Sequence, residues 1–148
     1  MASFAFRPLN EQVIVITGAS SGIGLATAQA AADQGAKLVL AARSEDTLAR
    51  IADDINATGG DAIYVAADVA DRSQVERIAD AAIQRFGRID TWVNDAGVSI
   101  YGRLDEVSEE DNRRLFDTNF WGVVNGSLVA LRRLRSQGGA LINVGSEV

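Results

Sequence analysis

The segment Thr17-Gly18-Ala19-Ser20-Ser21-Gly22-Ile23-Gly24 carries the residue types best suited to holding a phosphorylated ligand. It joins a β-branched run to an Ala-rich stretch with helical spacing. Gly18 lets the chain turn tightly, Gly22 leaves room for a pyrophosphate against the backbone, and Gly24 lets the helix pack closely on the strand. The helix start around Ile23 offers free N–H groups and the positive end of a helix dipole to phosphates. Ser20 and Ser21 can add hydroxyl donors. A plain glycine-rich turn is the rival reading, and the placement between a buried strand and a helix favours the nucleotide.

Arg43 follows the next apolar run, where a carboxylate would otherwise bind a ribose 2′-hydroxyl, and the preceding Ala41 and Ala42 supply no acid. A guanidinium there can clamp a 2′-phosphate by charge-assisted hydrogen bonds, so the cofactor reads as NADP rather than NAD. The alternative is a solvated arginine beside a helix that starts at Ser44.

Groups so far apart in sequence meet only if strands end at each of them. Buried strands are expected at Val13–Thr17 and at residues 38–42, 63–66, 89–93 and 141–144. Between them lie helical patterns. One covers residues 23–34 and closes at Gly35; another runs through Leu48, Ile51, Ala52 and Ile55 and ends at Gly59-Gly60. A third carries Val75, Ile78, Ala79, Ala82, Ile83 and Phe86 on one stripe, with Gly87 as its stop. Asp71 or Ser73 caps it, and Ser73 with Glu76 matches a capping box. A second such box, Ser108 to Asp111, opens a long helix over residues 109–136.

Alternating strands and helices imply an α/β fold, a Rossmann-type doubly wound parallel sheet of order 3-2-1-4-5 with helices on both faces. Its ligand site lies beyond the carboxyl ends of the strands, at the switch between the first and fourth. Residues 18–24, Arg43, Asp68, residues 94–97 and Ser146 all fall at such ends. The whole of residues 1–148 reads as one such domain, incomplete at its C-terminus.

Composition narrows the chemistry. The 148 residues include 47% hydrophobic and 23% charged side chains, ordinary for one globular domain. With no Cys and no His, thiolate zinc sites, His metal sites and His-based triads are excluded, and no metal is expected. A net charge of −6 argues against nucleic acid. The one basic cluster, Arg132, Arg133 and Arg135, reads as a solvated helix face. No apolar run suits a membrane span, and the Met1–Pro8 stretch does not read as a secretory signal, so the expected compartment is the cytoplasm.

The glycine spacing is Gly-x-x-x-Gly-x-Gly rather than Gly-x-Gly-x-x-Gly. In this the chain resembles the short-chain dehydrogenase/reductase family, and the resemblance runs from Gln12 to Ser146. It implies roles for several residues. Asp68-Val69 would meet adenine, the carboxylate accepting from the exocyclic amine; a helix N-cap is the rival for Asp68. Asn94-Asp95-Ala96-Gly97 resembles the family's Asn-Asn-Ala-Gly: Asn94 would tie neighbouring strands, while Ala96 and Gly97 would let the nicotinamide ribose approach. Asp95 departs from the pattern, exchanging an amide donor for a carboxylate.

Asn119, a poor helix former inside the long helix, would hold a water linked to the active-site lysine; a buried structural Asn is the alternative. Ser146 would hydrogen-bond the substrate carbonyl, although a serine after Gly145 can also be a simple turn residue. Gly122, Gly126 and Ala130 share one helix face suited to close packing, and the resemblance implies that this helix helps form a homo-oligomer.

The family's Tyr-x-x-x-Lys pair is absent: Tyr64 and Tyr101 are followed four residues on by Asp68 and Asp105, and the only lysine is Lys37. The expectation is therefore an NADP(H)-dependent oxidoreductase acting on a small carbonyl or alcohol substrate, with the Tyr and Lys beyond this chain and the chain alone inactive. Two rivals remain: a non-catalytic dinucleotide-binding module or half-domain that pairs with another chain, and an interaction protein that kept the fold without the nucleotide.

Overall fold

The computed structural model describes residues 6–146, so the first five residues of the Met1–Pro8 stretch lie outside it. A short 3-10 turn, Leu9–Glu11, leads into β1 (Val13–Thr17), every residue of which is buried. Next along the chain come α1 (Gly22–Asp33), β2 (Lys37–Ala42), α2 (Glu45–Ala57), β3 (Asp61–Ala66), α3 (Arg72–Phe86), β4 (Thr91–Asn94), α4 (Glu109–Phe116), α5 (Gly122–Leu134) and β5 (Ala140–Asn143).

The five strands form one parallel sheet in the order β3-β2-β1-β4-β5, as the alternation of patterns predicts. Side chains alternate across a strand, so β1 feeds both faces of the sheet. Val13 and Val15 join Val39, Ile78, Ala79, Trp92, Val129 and Ala130 in the layer beneath α3 and α5. Ile14 and Ile16 join Ala28, Leu38, Leu40, Leu48 and Ala52 in the layer beneath α1 and α2. Each fully buried Val or Ile contributes roughly 1.5–3 kcal/mol relative to exposure, so both layers anchor β1 at the centre.

The structure settles several local questions. α3 is capped by Asp71, whose carboxylate accepts the N–H of Ser73 at 2.8 Å; Ser73 lies inside the helix and does not cap it. Ser108 caps α4, accepting the N–H of Asp111 at 3.1 Å. Ser44 holds the N-cap position of α2, but its hydroxyl meets Thr47 Oγ1 at 2.8 Å rather than a backbone N–H.

Several expected boundaries shift by a residue or two, and two differences are structurally informative. Strand β4 begins at Thr91, not at residue 89, and Asp90 just before it makes side-chain ties at the amino end of the sheet. Its carboxylate accepts the N–H of Val13 at 2.9 Å and a fork from Arg88 at 2.6 and 2.9 Å. The long helix expected over residues 109–136 is regular only in its two halves. Between α4 and α5, Asp117–Trp121 forms a π-helical turn, and the helix stops at Leu134. A π turn inserts an extra residue, which is how a helix keeps two separate anchors in register. Here the anchors are Asn119 on the loop after β4 and Gly122 against Val69.

Candidate functional site

A cavity of about 900 Å³ opens across the carboxyl ends of β1 to β4. It lies within the roughly 300–1,000 Å³ typical of small-molecule sites. Each wall is the segment that leaves one strand: Gly18 to Ile23 after β1, Ala42 to Ser44 at the end of β2, Ala67 to Val69 after β3, and Asp95 to Ser99 with Tyr101 after β4. Thr118, from the π turn, closes one side. Parallel strands all end on the same edge, so the topology itself makes these distant segments meet.

The glycine loop is held from behind. Thr17 Oγ1 donates to the carbonyl of Val93 at 3.3 Å and accepts the N–H groups of Asp95 and Ala96 at 3.1 and 3.2 Å. That hydroxyl locks the end of β1 to the end of β4. Gly18, at φ +73°, turns so tightly on this junction that a Cβ would stand 2.8 Å from the Ala96 nitrogen. Gly24 is squeezed between the Gly18 carbonyl and Asp95. By contrast nothing lies within 4 Å of where a Gly22 Cβ would be, so that face of the loop is open.

Ser21, the N-cap residue of α1, makes no side-chain cap bond, which leaves its hydroxyl and the first N–H groups of the helix for a ligand. This is a donor set that fits a diphosphate: open backbone at Gly22, uncommitted hydroxyls and a helix start.

Of the residues expected here, Gly18, Ser20, Ser21, Gly22, Ile23, Arg43, Asp68, Val69, Ala96 and Gly97 line the cavity. Arg43 is exposed and forms no ion pair among the described residues. Asp68 is not the α3 cap, since Asp71 is; its Oδ1 accepts the N–H of Ala70 at 3.0 Å, and Arg114 approaches its Oδ2 at 3.9 Å.

Four expected residues do not line it. Gly24 lies behind the loop. Asn94 is 3% exposed and faces inward. Its Oδ1 accepts the Trp92 indole N–H at 2.8 Å, and its Nδ2 donates to Asn143 Oδ1 at 2.8 Å and Ser127 Oγ at 3.3 Å. It thus ties β4 to β5 and α5, in keeping with the strand-tying role that the resemblance implies, and does not itself line the cavity. Asn119 pairs with the backbone of Val98 in both directions, accepting its N–H at 2.9 Å and donating to its carbonyl at 2.8 Å. Ser146 is exposed, beyond the end of β5.

Sequence reasoning did not single out Thr17, Val98, Tyr101, Thr118 or Asn125, whose Nδ2 reaches the Val69 carbonyl at 3.0 Å. Thr17 left a usable signal: a polar residue closing an otherwise apolar strand directly before a glycine. Asp95 also belongs to the wall. Burial pushes its carboxyl above the ordinary carboxylate value, and the nearby Gly24 N–H offsets this only in part.

Gly122 and Gly126 turn inward. A Cβ on Gly122 would press on Val69 Cγ2, 2.6 Å away, and one on Gly126 would overlap Asn94 Oδ1. The small face therefore serves packing within the chain. The opposite face leaves Phe116, Phe120, Trp121, Leu128 and Leu131 exposed. Among the described residues no helix is long and apolar enough to cross a membrane, and no cluster of acidic side chains could hold a metal.

Comparison with known proteins agrees with this architecture. The family model described as short chain dehydrogenase matches residues 12–148. The oxidoreductase YxnA of Bacillus subtilis is 55% identical over 142 residues, covering 95% of this chain and 40% of the relative. Among solved structures, a short chain dehydrogenase/reductase from Burkholderia phymatum in complex with NAD superposes with a TM-score of 0.91 at 38% identity, over 95% of this chain and 51% of that one. An alcohol dehydrogenase from the archaeon Thermococcus sibiricus, complexed with 5-hydroxy-NADP, gives 0.85 at 38% identity, over 89% and 57%. The chain thus spans about half the length of the relatives it matches.

Proposed function

This chain belongs to the short-chain dehydrogenase family of oxidoreductases, and from that premise we propose that it holds NADP(H) for hydride transfer to or from a carbonyl or alcohol substrate. The observation that carries the proposal is the cavity at the four strand ends, with an open glycine loop on one side and Arg43 on another. The nicotinamide, when bound, supplies the hydride.

The chain's own residues do the rest. Ser20, Ser21 and the N–H groups at the start of α1 receive the diphosphate, and Asp68 and Val69 bound the adenine end. Ala96 and Gly97 offer a small-residue wall to the nicotinamide ribose. Asn119, through Val98, keeps that wall in place. Ser146 would hold the substrate oxygen. No tyrosine here is followed four residues on by lysine, so the proton step is assigned to residues outside these 148. The family match does not favour a non-catalytic binding module.

Arg43 directs the preference for NADP over NAD, because it lies at the end of β2 where no acid competes for the ribose. One charge-assisted contact is worth about 1.5–3 kcal/mol, which corresponds to roughly ten- to a hundredfold in affinity. Arg43→Asp should shift relative affinity from NADPH towards NADH by that factor in fluorescence titrations. An unchanged ratio would remove Arg43 from the site. The exposed apolar face along α4 and α5 is proposed to pack against a second copy of the chain, and the proposed compartment is the cytoplasm. A monomer by sedimentation at high protein concentration would contradict the self-association.

A further inference from the structure

Asp95 places a negative charge where the proposed ligand brings more of it. The residue comes directly after β4, and its side chain reaches beneath the glycine loop towards the start of α1 at Gly24. The approach is close: a Cβ on Gly24 would stand 2.7 Å from Asp95 Oδ2. Gly24 lies in the first turn of α1, so its N–H is one of the donors that a helix start leaves without an intrahelical partner. Ser21 does not cap the helix through its side chain, and the first turn carries no acid. Asp95 therefore stands against the start of α1 from another element, and it draws on the positive helix end that a diphosphate would use.

We propose that Asp95 sets the cofactor affinity of this site, its ionised carboxylate weakening diphosphate binding at α1 and its neutral form permitting tighter binding. The inference rests on the dinucleotide reading above and deepens it. Around Asp95, β1 contributes the uncharged Thr17, and the glycine loop and first turn of α1 contribute only serines, glycines and apolar residues. The segment after β4 adds Tyr101, and across the cavity stand Arg43 and Asp68. Among the described residues Asp95 forms no ion pair, so no neighbouring cation cancels its charge. Like charges within a Debye length, about 8–10 Å at physiological salt, repel without full screening.

Burial already holds the Asp95 carboxyl above its ordinary value. A bound diphosphate raises it further, so binding takes a proton from solvent. By linkage, affinity falls as pH rises through the Asp95 titration.

The test is calorimetric binding of NAD⁺, which lacks a titrating 2′-phosphate, to the protein and to Asp95→Asn. Titrations run from about pH 5 to about pH 8, covering the range of raised carboxyls. Asn keeps the shape and removes the charge. The expected result is a several-fold loss of affinity with rising pH in the unaltered protein, accompanied by proton uptake in buffers of different ionisation enthalpy. The variant should show a flat profile and bind several-fold tighter at the upper end.

Equal affinities and equal slopes would overturn the role of Asp95 while leaving the dinucleotide reading intact. Absence of saturable binding in both proteins would overturn the dinucleotide reading, and this inference with it. Should the variant not fold, proton uptake by the unaltered protein decides alone, and its absence overturns the proposal.

Discussion

Replacing Gly126 with alanine sets two opposed effects against each other. Alanine in a helix interior is favoured over glycine by about 1 kcal/mol, and α5 would gain that amount. The new methyl, however, would overlap Asn94 Oδ1 and come within 3.1 Å of Trp92 Nε1. Asn94 cannot yield freely, because its amide is bonded to Trp92, Asn143 and Ser127 inside the molecule. Displacing it leaves the Trp92 N–H, on a side chain 0% exposed, without its acceptor. A buried orphan donor costs about 1–3 kcal/mol, and overpacking adds about 1–3 kcal/mol.

The packing effects win, and Gly126→Ala should destabilise the protein by about 3 kcal/mol net. For a chain of this size that corresponds to a fall in Tm of roughly 10 °C. Urea and thermal unfolding read the loss, and acrylamide quenching reads the exposure of Trp92. The same contact links the site to the fold: Asn94 pairs in register with Asn143, and beyond the two run the 95–97 wall and Ser146. A variant as stable as the parent, or more stable, would refute the close approach of α5 to β4.

Asn119→Ala should release the Val98 backbone and cost about 1–2 kcal/mol for two neutral hydrogen bonds, seen as faster hydrogen exchange at the Val98 amide and weaker cofactor binding. Unchanged protection there would deny Asn119 its positioning role. At the other end of the sheet, Asp90→Ala strips the buried Val13 N–H of its acceptor and leaves Arg88 unpaired. Its expected cost is about 3 kcal/mol in urea unfolding. Asp90→Asn, which keeps an acceptor for Val13, should cost less; equal losses would show that the Val13 hydrogen bond contributes nothing.

Much of this protein is readable from its sequence because the relevant signals are local. Glycine spacing, β-branched runs and an apolar stripe at 3.6-residue spacing each depend on neighbours a few residues away. Strand–helix alternation leaves few parallel topologies open. Once β1 to β4 are parallel, the residues after Thr17, Ala42, Ala66 and Asn94 must share one edge, so Gly22, Arg43, Asp68 and Gly97 meet around one cavity.

What only the tertiary structure decided is where side chains of ambiguous character go. Asn94 turns inward because Trp92, Ser127 and Asn143 offer it partners there. Gly122 and Gly126 serve internal packing because Val69 and Asn94 press against α5. The π turn at Asp117–Trp121 occurs where Asn119 and Gly122 are anchored to separate segments. Asp95 comes to stand against the start of α1 only because Gly24, 71 positions earlier in the chain, is brought close to it. Each of these outcomes rests on contacts between residues distant in sequence, and neither periodicity nor propensity encodes which polar atom such a contact will satisfy.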